Sequence, residues 1–100
     1  MQELQVNKEN CFSVLMAVYK KEQPLFFKEA LRSVFEQSLI PNEVVLVKDG
    51  PLTEELEQII VDFSSKNEQL KVITLEKNQG LGEALRIGLN ACSFDLVARM

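Results

Sequence analysis

The sequence predicts an α/β protein, a three-layer sandwich built on a mostly parallel sheet. Three observations predict it. Short apolar, β-branched runs alternate with stripes of apolar residues at helical spacing, in the order β-α-β-α-β-α-β. The runs are unbroken rather than alternating, as in strands covered on both faces. The connections are short, which suits right-handed crossovers between parallel strands.

Each element has its own signal. Met1 to Asn10 is polar and expected to be a frayed segment, leaving 11–100 as the α/β unit. Cys11 to Tyr19 is the first apolar run and the expected first strand. Lys20 to Gln23 is a charged loop, and Pro24 suits the first position of a helix. Phe27, Ala30, Leu31, Val34 and Phe35 then form one helical face, which Pro41-Asn42 ends. Glu43 to Pro51 contains the strongest run, Val44-Val45-Leu46-Val47, closed by Lys48-Asp49-Gly50-Pro51. Thr53 is the expected N-cap of the second helix, with Glu54 and Glu55 favouring its N-terminus. Leu56, Ile59, Ile60 and Phe63 supply its stripe, and Ser64 to Gln69 a polar turn. Leu70 to Leu75 is the third strand, followed by the loop Glu76 to Gly80. Leu81, Ala84, Leu85, Leu89 and Cys92 mark a third helix, with Gly88 placed for a close approach to the sheet. Phe94 to Met100 is the fourth strand. The chain stops inside that run with no turn signal, and a truncated domain is the expectation.

Composition narrows the function. One hundred residues make one small domain or part of a larger one. A net charge of −4 gives no global electrostatic case for binding nucleic acid. With no histidine, His-based catalysis and His-ligated metals are excluded within these residues. Cys11 and Cys92 show neither metal-ligand spacing nor a disulfide framework, so a reducing cytoplasm is the expected location.

In a parallel sheet, ligands bind outside the carboxyl ends of the strands. Those ends offer Tyr19, Lys20 and Lys21, then Lys48 and Asp49, then Glu76, Lys77 and Asn78, then Arg99. Five of the eleven Lys and Arg residues thus fall at one rim of an acidic chain, with a carboxylate and an aromatic ring among them. That mixture suits an anionic ligand carrying a ring, such as a nucleoside diphosphate; charged residues that merely solvate loop ends are the plainer alternative. Gly80-Leu81-Gly82 lacks the third glycine of the dinucleotide fingerprint, since Leu85 stands there, and it follows the third strand rather than the first. No Gly-x-x-x-x-Gly-Lys-Ser/Thr loop is present.

Four segments in order carry a resemblance: Phe12-Ser-Val-Leu-Met-Ala-Val-Tyr19, Leu31-Arg-Ser-Val-Phe-Glu-Gln-Ser38, Val44-Val-Leu-Val-Lys-Asp-Gly50 and Asn78-Gln-Gly-Leu-Gly-Glu-Ala-Leu-Arg-Ile-Gly88. Together they resemble the N-terminal, nucleotide-sugar-binding half of a family 2 glycosyltransferase with the GT-A fold. The resemblance implies a transferase, typically inverting, that moves a sugar from a nucleoside diphosphate to a glycan or lipid-linked acceptor. It implies nucleotide contacts at Ala17, Val18, Tyr19, Asp49, Asn78, Gly80 and Arg99.

Asp49 matches the family's base-contacting Asp. A carboxylate accepts a hydrogen bond from the imide N–H of uracil, which cytosine lacks, so a UDP-sugar is favoured. Lys48 and Pro51 depart from the family's Asp-Asp-Gly-Ser. The third-helix motif often carries an Arg where Leu85 stands, so no phosphate contact passes to Arg86. The family's Asp-x-Asp motif would follow Met100, and with it a divalent Mn or Mg against the diphosphate and the catalytic base. These 100 residues are therefore expected to bind no metal and to be inert alone. The implied location is the cytoplasm or the inner face of the membrane, and an open sheet edge would favour self-association. Two rivals stay open. A nucleotidyltransferase would carry a glycine-rich loop where Lys20 to Pro24 stands. A receiver-type interaction domain would need acidic residues at Lys20-Lys21 and Asp at the end of the third strand.

Overall fold

A computed structural model describes residues 11–100; the expected frayed segment 1–10 lies outside the described residues. The elements are β1 (Ser13–Val18), α1 (Pro24–Glu36), β2 (Glu43–Lys48), α2 (Glu54–Lys66), β3 (Leu70–Thr74), α3 (Leu81–Ala91) and β4 (Val97–Arg99). All pairings are parallel and the strand order is β3-β2-β1-β4. The chain steps outward from β1 to β3, then returns to the other side of β1. Right-handed crossovers in opposite directions put the helices on opposite faces.

The side chains record that division. Val14, Met16 and Val18 of β1 and Val44 and Leu46 of β2 pack against Phe27, Leu31 and Val34 of α1 and Leu56 and Ile60 of α2. The intervening Leu15, Val45 and Val47 face Ala84 of α3, with Leu85, Cys92 and Val97 against them. The apolar run of β2 is buried from end to end because both faces are covered. Phe35 and Phe63 stack between α1 and α2 with ring centroids 6.1 Å apart.

The helix signals behave as their chemistry requires. Pro24 opens α1, where its missing N–H costs nothing. Thr53 Oγ1 accepts the Leu56 N–H at 3.2 Å and caps α2. On α3 the buried residues are Ala84 and Gly88, while Leu81 and Leu89 are exposed. The helix sits so close to the sheet that a Cβ at Gly88 would overlap Leu15 and Val47. A close approach selects small residues at the contact and leaves large ones at its margins.

Three strands are shorter than the apolar runs. β1 begins at Ser13 and ends at Val18, and β3 ends at Thr74. β4 spans three residues instead of seven: it joins β1 only where Ser13, Val14 and Leu15 offer partners. Ladder pairing, not hydrophobicity, sets a strand's length.

Candidate functional site

The return of the chain across β1 opens a crevice at the carboxyl ends of the strands, the position where open α/β sheets bind ligands. It is a cleft of about 350 Å³ lined by Ala17, Val18, Tyr19, Glu22, Asp49, Asn78, Gly80 and Leu81. Six of the seven residues singled out in the sequence therefore meet there: Ala17, Val18, Tyr19, Asp49, Asn78 and Gly80.

Arg99 does not. The parallel register sets it opposite Leu15, three residues short of Val18 at the end of β1. Ala17, two residues beyond Leu15, already lines the cleft, so at about 3.3 Å per residue Arg99 sits roughly 7 Å below it. The cationic rim is also thinner than its sequence. Lys48 Nζ lies 2.8 Å from Glu57 Oε1, so α2 neutralises it. None of Lys20, Lys21 and Lys77 lines the cleft, and the described residues that do line it include no cation.

Asp49 is 4% exposed, at the point where β2 turns away. Its N–H donates to the Val18 carbonyl at 2.8 Å, extending the ladder by one residue and setting Asp49 beside β1. Its carboxylate accepts the Gln79 N–H on Oδ1 at 2.7 Å and the Gly80 N–H on Oδ2 at 3.1 Å. Asn78 Nδ2 donates to the Asp49 carbonyl at 3.2 Å. Gly80 is the N-cap of α3 and brings no capping side chain of its own. Asp49 binds the two amides just ahead of the first turn, Gln79 and Gly80, and sets its negative charge near the positive end of the helix.

Two lining residues were not read from the sequence, Glu22 and Leu81. The Glu22 N–H donates to the Tyr19 carbonyl at 3.0 Å, closing a turn that brings Glu22 back towards β1. A charged loop in sequence carries no sign of that return.

A second carboxylate cluster lies at the opposite end of β2. Glu43 is 2% exposed. It accepts bonds from Ser13 Oγ at 2.6 Å, Ser93 N at 2.7 Å and Ser93 Oγ at 2.9 Å, and pairs with Lys71. Burial alone would raise its pKa; the bonds from Lys71, Ser13 and Ser93 outweigh that and hold it down at about 2. Nearby, burial and the Glu43 charge push the Cys92 thiol up from its ordinary value, as suits an unreactive packing residue. Arg86 is a helix-surface residue: its Nε donates to Glu83 Oε1 at 3.0 Å.

A metal would need converging ligands. Among the described residues no group of three His, Cys, Asp or Glu side chains forms such a site, so the residues present do not fit a divalent ion.

The fold and the cleft together define a GT-A-type α/β unit. The chain belongs to glycosyl transferase family 2, whose model matches residues 13–100. It is 50% identical over 88 residues to the Escherichia coli UDP-Gal:alpha-D-GlcNAc-diphosphoundecaprenol beta-1,3-galactosyltransferase, covering 88% of this chain and 32% of that protein. It is 43% identical over 89 residues to the amylovoran biosynthesis glycosyltransferase AmsE of Erwinia amylovora, covering 89% of this chain and 33% of that one. The chain thus spans about a third of the length of these relatives.

Among solved structures it resembles S. aureus TarS, with TM-score 0.72, 30% identity, and coverage of 90% of this chain and 16% of that one. It also resembles the mannosyltransferase PcManGT of Pyrobaculum calidifontis, solved with GDP-Man and Mn2+. That match has TM-score 0.71, 23% identity, and coverage of 86% and 25%, and it supports the fold alone. The family match and these relatives agree on glycosyl transferase family 2. They set aside the nucleotidyltransferase and receiver alternatives.

Proposed function

We propose that this chain is the donor-binding part of a glycosyltransferase, and that its cleft takes the nucleoside end of a nucleoside-diphosphate sugar. The carrying observation is the cleft's lining: an aromatic ring, Tyr19, and two carboxylates, Glu22 and Asp49, with no cation among the described residues. A phosphate would be repelled by that set. A base that stacks and a ribose that donates hydroxyl hydrogen bonds are not. Among the described residues no hydrogen bond or ion pair engages the Glu22 side chain, which makes it the group placed to accept from ribose. The diphosphate then points outward, towards the exposed Lys20, Lys21 and Lys77 of the surrounding loops.

A uridine nucleotide is favoured by the relative whose name begins with UDP-Gal. The same name makes a lipid-linked acceptor the first to try, and a glycan such as a growing polysaccharide the second. Work on a lipid-linked acceptor would place the protein in the cytoplasm, at the inner face of the membrane. No helix among the described residues is long and apolar enough to cross a membrane.

The test is calorimetric titration of the chain with uridine, cytidine and guanosine diphosphates. Saturable binding strongest for uridine diphosphate is expected. Preference for guanosine would overturn the uridine assignment. Silence from all three with folded protein would overturn the donor-site reading.

A further inference from the structure

Asp49 entered as the residue that reads the base, and its carboxylate is also bound within the chain. Both oxygens accept backbone N–H groups of the β3–α3 loop, from Gln79 at 2.7 Å and Gly80 at 3.1 Å. Asn78 returns a bond to the Asp49 carbonyl at 3.2 Å, so the clasp is closed from both sides. The backbones are pressed together at that point. A Cβ on Gly50 would come within 2.7 Å of the Asn78 nitrogen. Gly50 and Gly80, with φ of +93° and +96°, are the residues with positive φ among those described, and they lie on the two sides of the clasp. Such backbone is available to glycine at little cost. It lets two chain segments meet with no side chain between them.

We propose that Asp49 is a positioning residue: its carboxylate clamps the Asn78–Gly80 loop to the end of β2 and so builds the wall of the donor cleft. Asn78, Gly80 and Leu81, which form that wall, all follow from where the clamp holds the loop. The clamp also sets a negative charge beside the N-terminus of α3, an 11-residue helix, which disfavours a phosphate at that point. The inference rests on the donor-site reading for its functional meaning, though the clamp itself is a property of the ligand-free chain.

The test compares the chain with its Asp49→Asn and Asn78→Ala variants. Asparagine offers one acceptor oxygen and places an NH₂ group against a second N–H, donor facing donor. Amide exchange at Gln79 and Gly80 is followed by NMR, with Val45 and Leu46 of β2 as the folding control. In Asp49→Asn those loop amides should exchange roughly tenfold faster or more, the loss expected for a bond to a charged acceptor, while the core amides are unchanged. Uridine and cytidine diphosphates should then weaken in parallel, with the preference between them kept.

Asn78→Ala leaves the carboxylate in place and should show a smaller change of the same kind. It carries the test if the first variant does not fold. Unchanged exchange at Gln79 and Gly80 in a folded Asp49→Asn, or in Asn78→Ala where that variant alone folds, overturns the clamp. A switch of preference towards cytidine overturns it too, because the carboxylate would then be reading the base. Faster loop exchange in a chain that binds no nucleotide supports the clamp and overturns the donor-site reading instead.

Discussion

β2 carries a buried carboxylate at each end, and the two are held in opposite ways. Glu43, at its start, is 2% exposed and takes its partners from side chains of β1 and β3 and from Ser93 beyond α3. Asp49, just past its end, is 4% exposed and takes its carboxylate partners from two backbone amides of one loop. Glu43 sits under a lysine in a closed knot. Asp49 forms the floor of an open cleft. The first arrangement ties distant segments together; the second shapes a surface for something that is not part of the chain. Equal burial of the same functional group thus says little about role. The source of the bonds and the openness of the surroundings say more.

The sharpest way to break the comparison is to remove Glu43. Glu43→Ala strips an acceptor from Ser13 and from both donors of Ser93, and leaves Lys71 without its ion-pair partner. Losing one member of a buried pair costs about 3–5 kcal/mol. Because Lys71 is half exposed and can be hydrated, the lower end is expected. Urea unfolding should show a loss of roughly 3 kcal/mol. A loss below about 1 kcal/mol would mean that the knot is ornamental.

The pH dependence of stability examines the same carboxylate without a gap in the packing. Its pKa falls from 4.5 in the open chain to about 2 in the fold. The unfolded state therefore binds more protons between those values. The contribution of Glu43 is fully present above pH 4.5 and is lost as pH falls through about 2. The difference amounts to roughly 3 kcal/mol. Urea midpoints measured from pH 6 downward should fall more steeply below pH 4.5 for the natural chain than for Glu43→Gln. Parallel curves for the two proteins would show that Glu43 titrates normally.

These two carboxylates also mark what could be read in advance. The alternation of β-branched runs and helical stripes is a local signal, so the order of elements was legible. The carboxyl ends of parallel strands share an edge, so Tyr19, Asp49 and Asn78 could be assigned to one place; Ala17, Val18 and Gly80 joined them only through the family resemblance. What depended on register was not legible. Arg99 falls short of the cleft because β4 pairs with Ser13 to Leu15, a choice made by long-range ladder bonds. The Glu43 knot joins residues up to 50 positions apart, and Glu43 itself reads as an ordinary strand start. Lys48 looked like a free cation until the turn of α2 placed Glu57 beside it.

Glu22 gives the comparison its smallest structural effect and its cleanest functional one. It lines the cleft yet its side chain bonds to none of the described residues, unlike either β2 carboxylate. Glu22→Gln keeps the shape and removes the charge. Stability should stay within about 0.5 kcal/mol of the natural chain, the usual range for a surface change. Affinity for uridine diphosphate should fall roughly tenfold, because a hydrogen bond from a hydroxyl to a charged acceptor is replaced by one to a neutral amide oxygen. The same substitution should matter much less for 2′,3′-dideoxyuridine diphosphate, which has no ribose hydroxyls to donate. Calorimetry with both nucleotides measures that difference directly. Equal losses for the two would mean that Glu22 acts on the base or on the cleft as a whole, and the ribose would have to be held by another group.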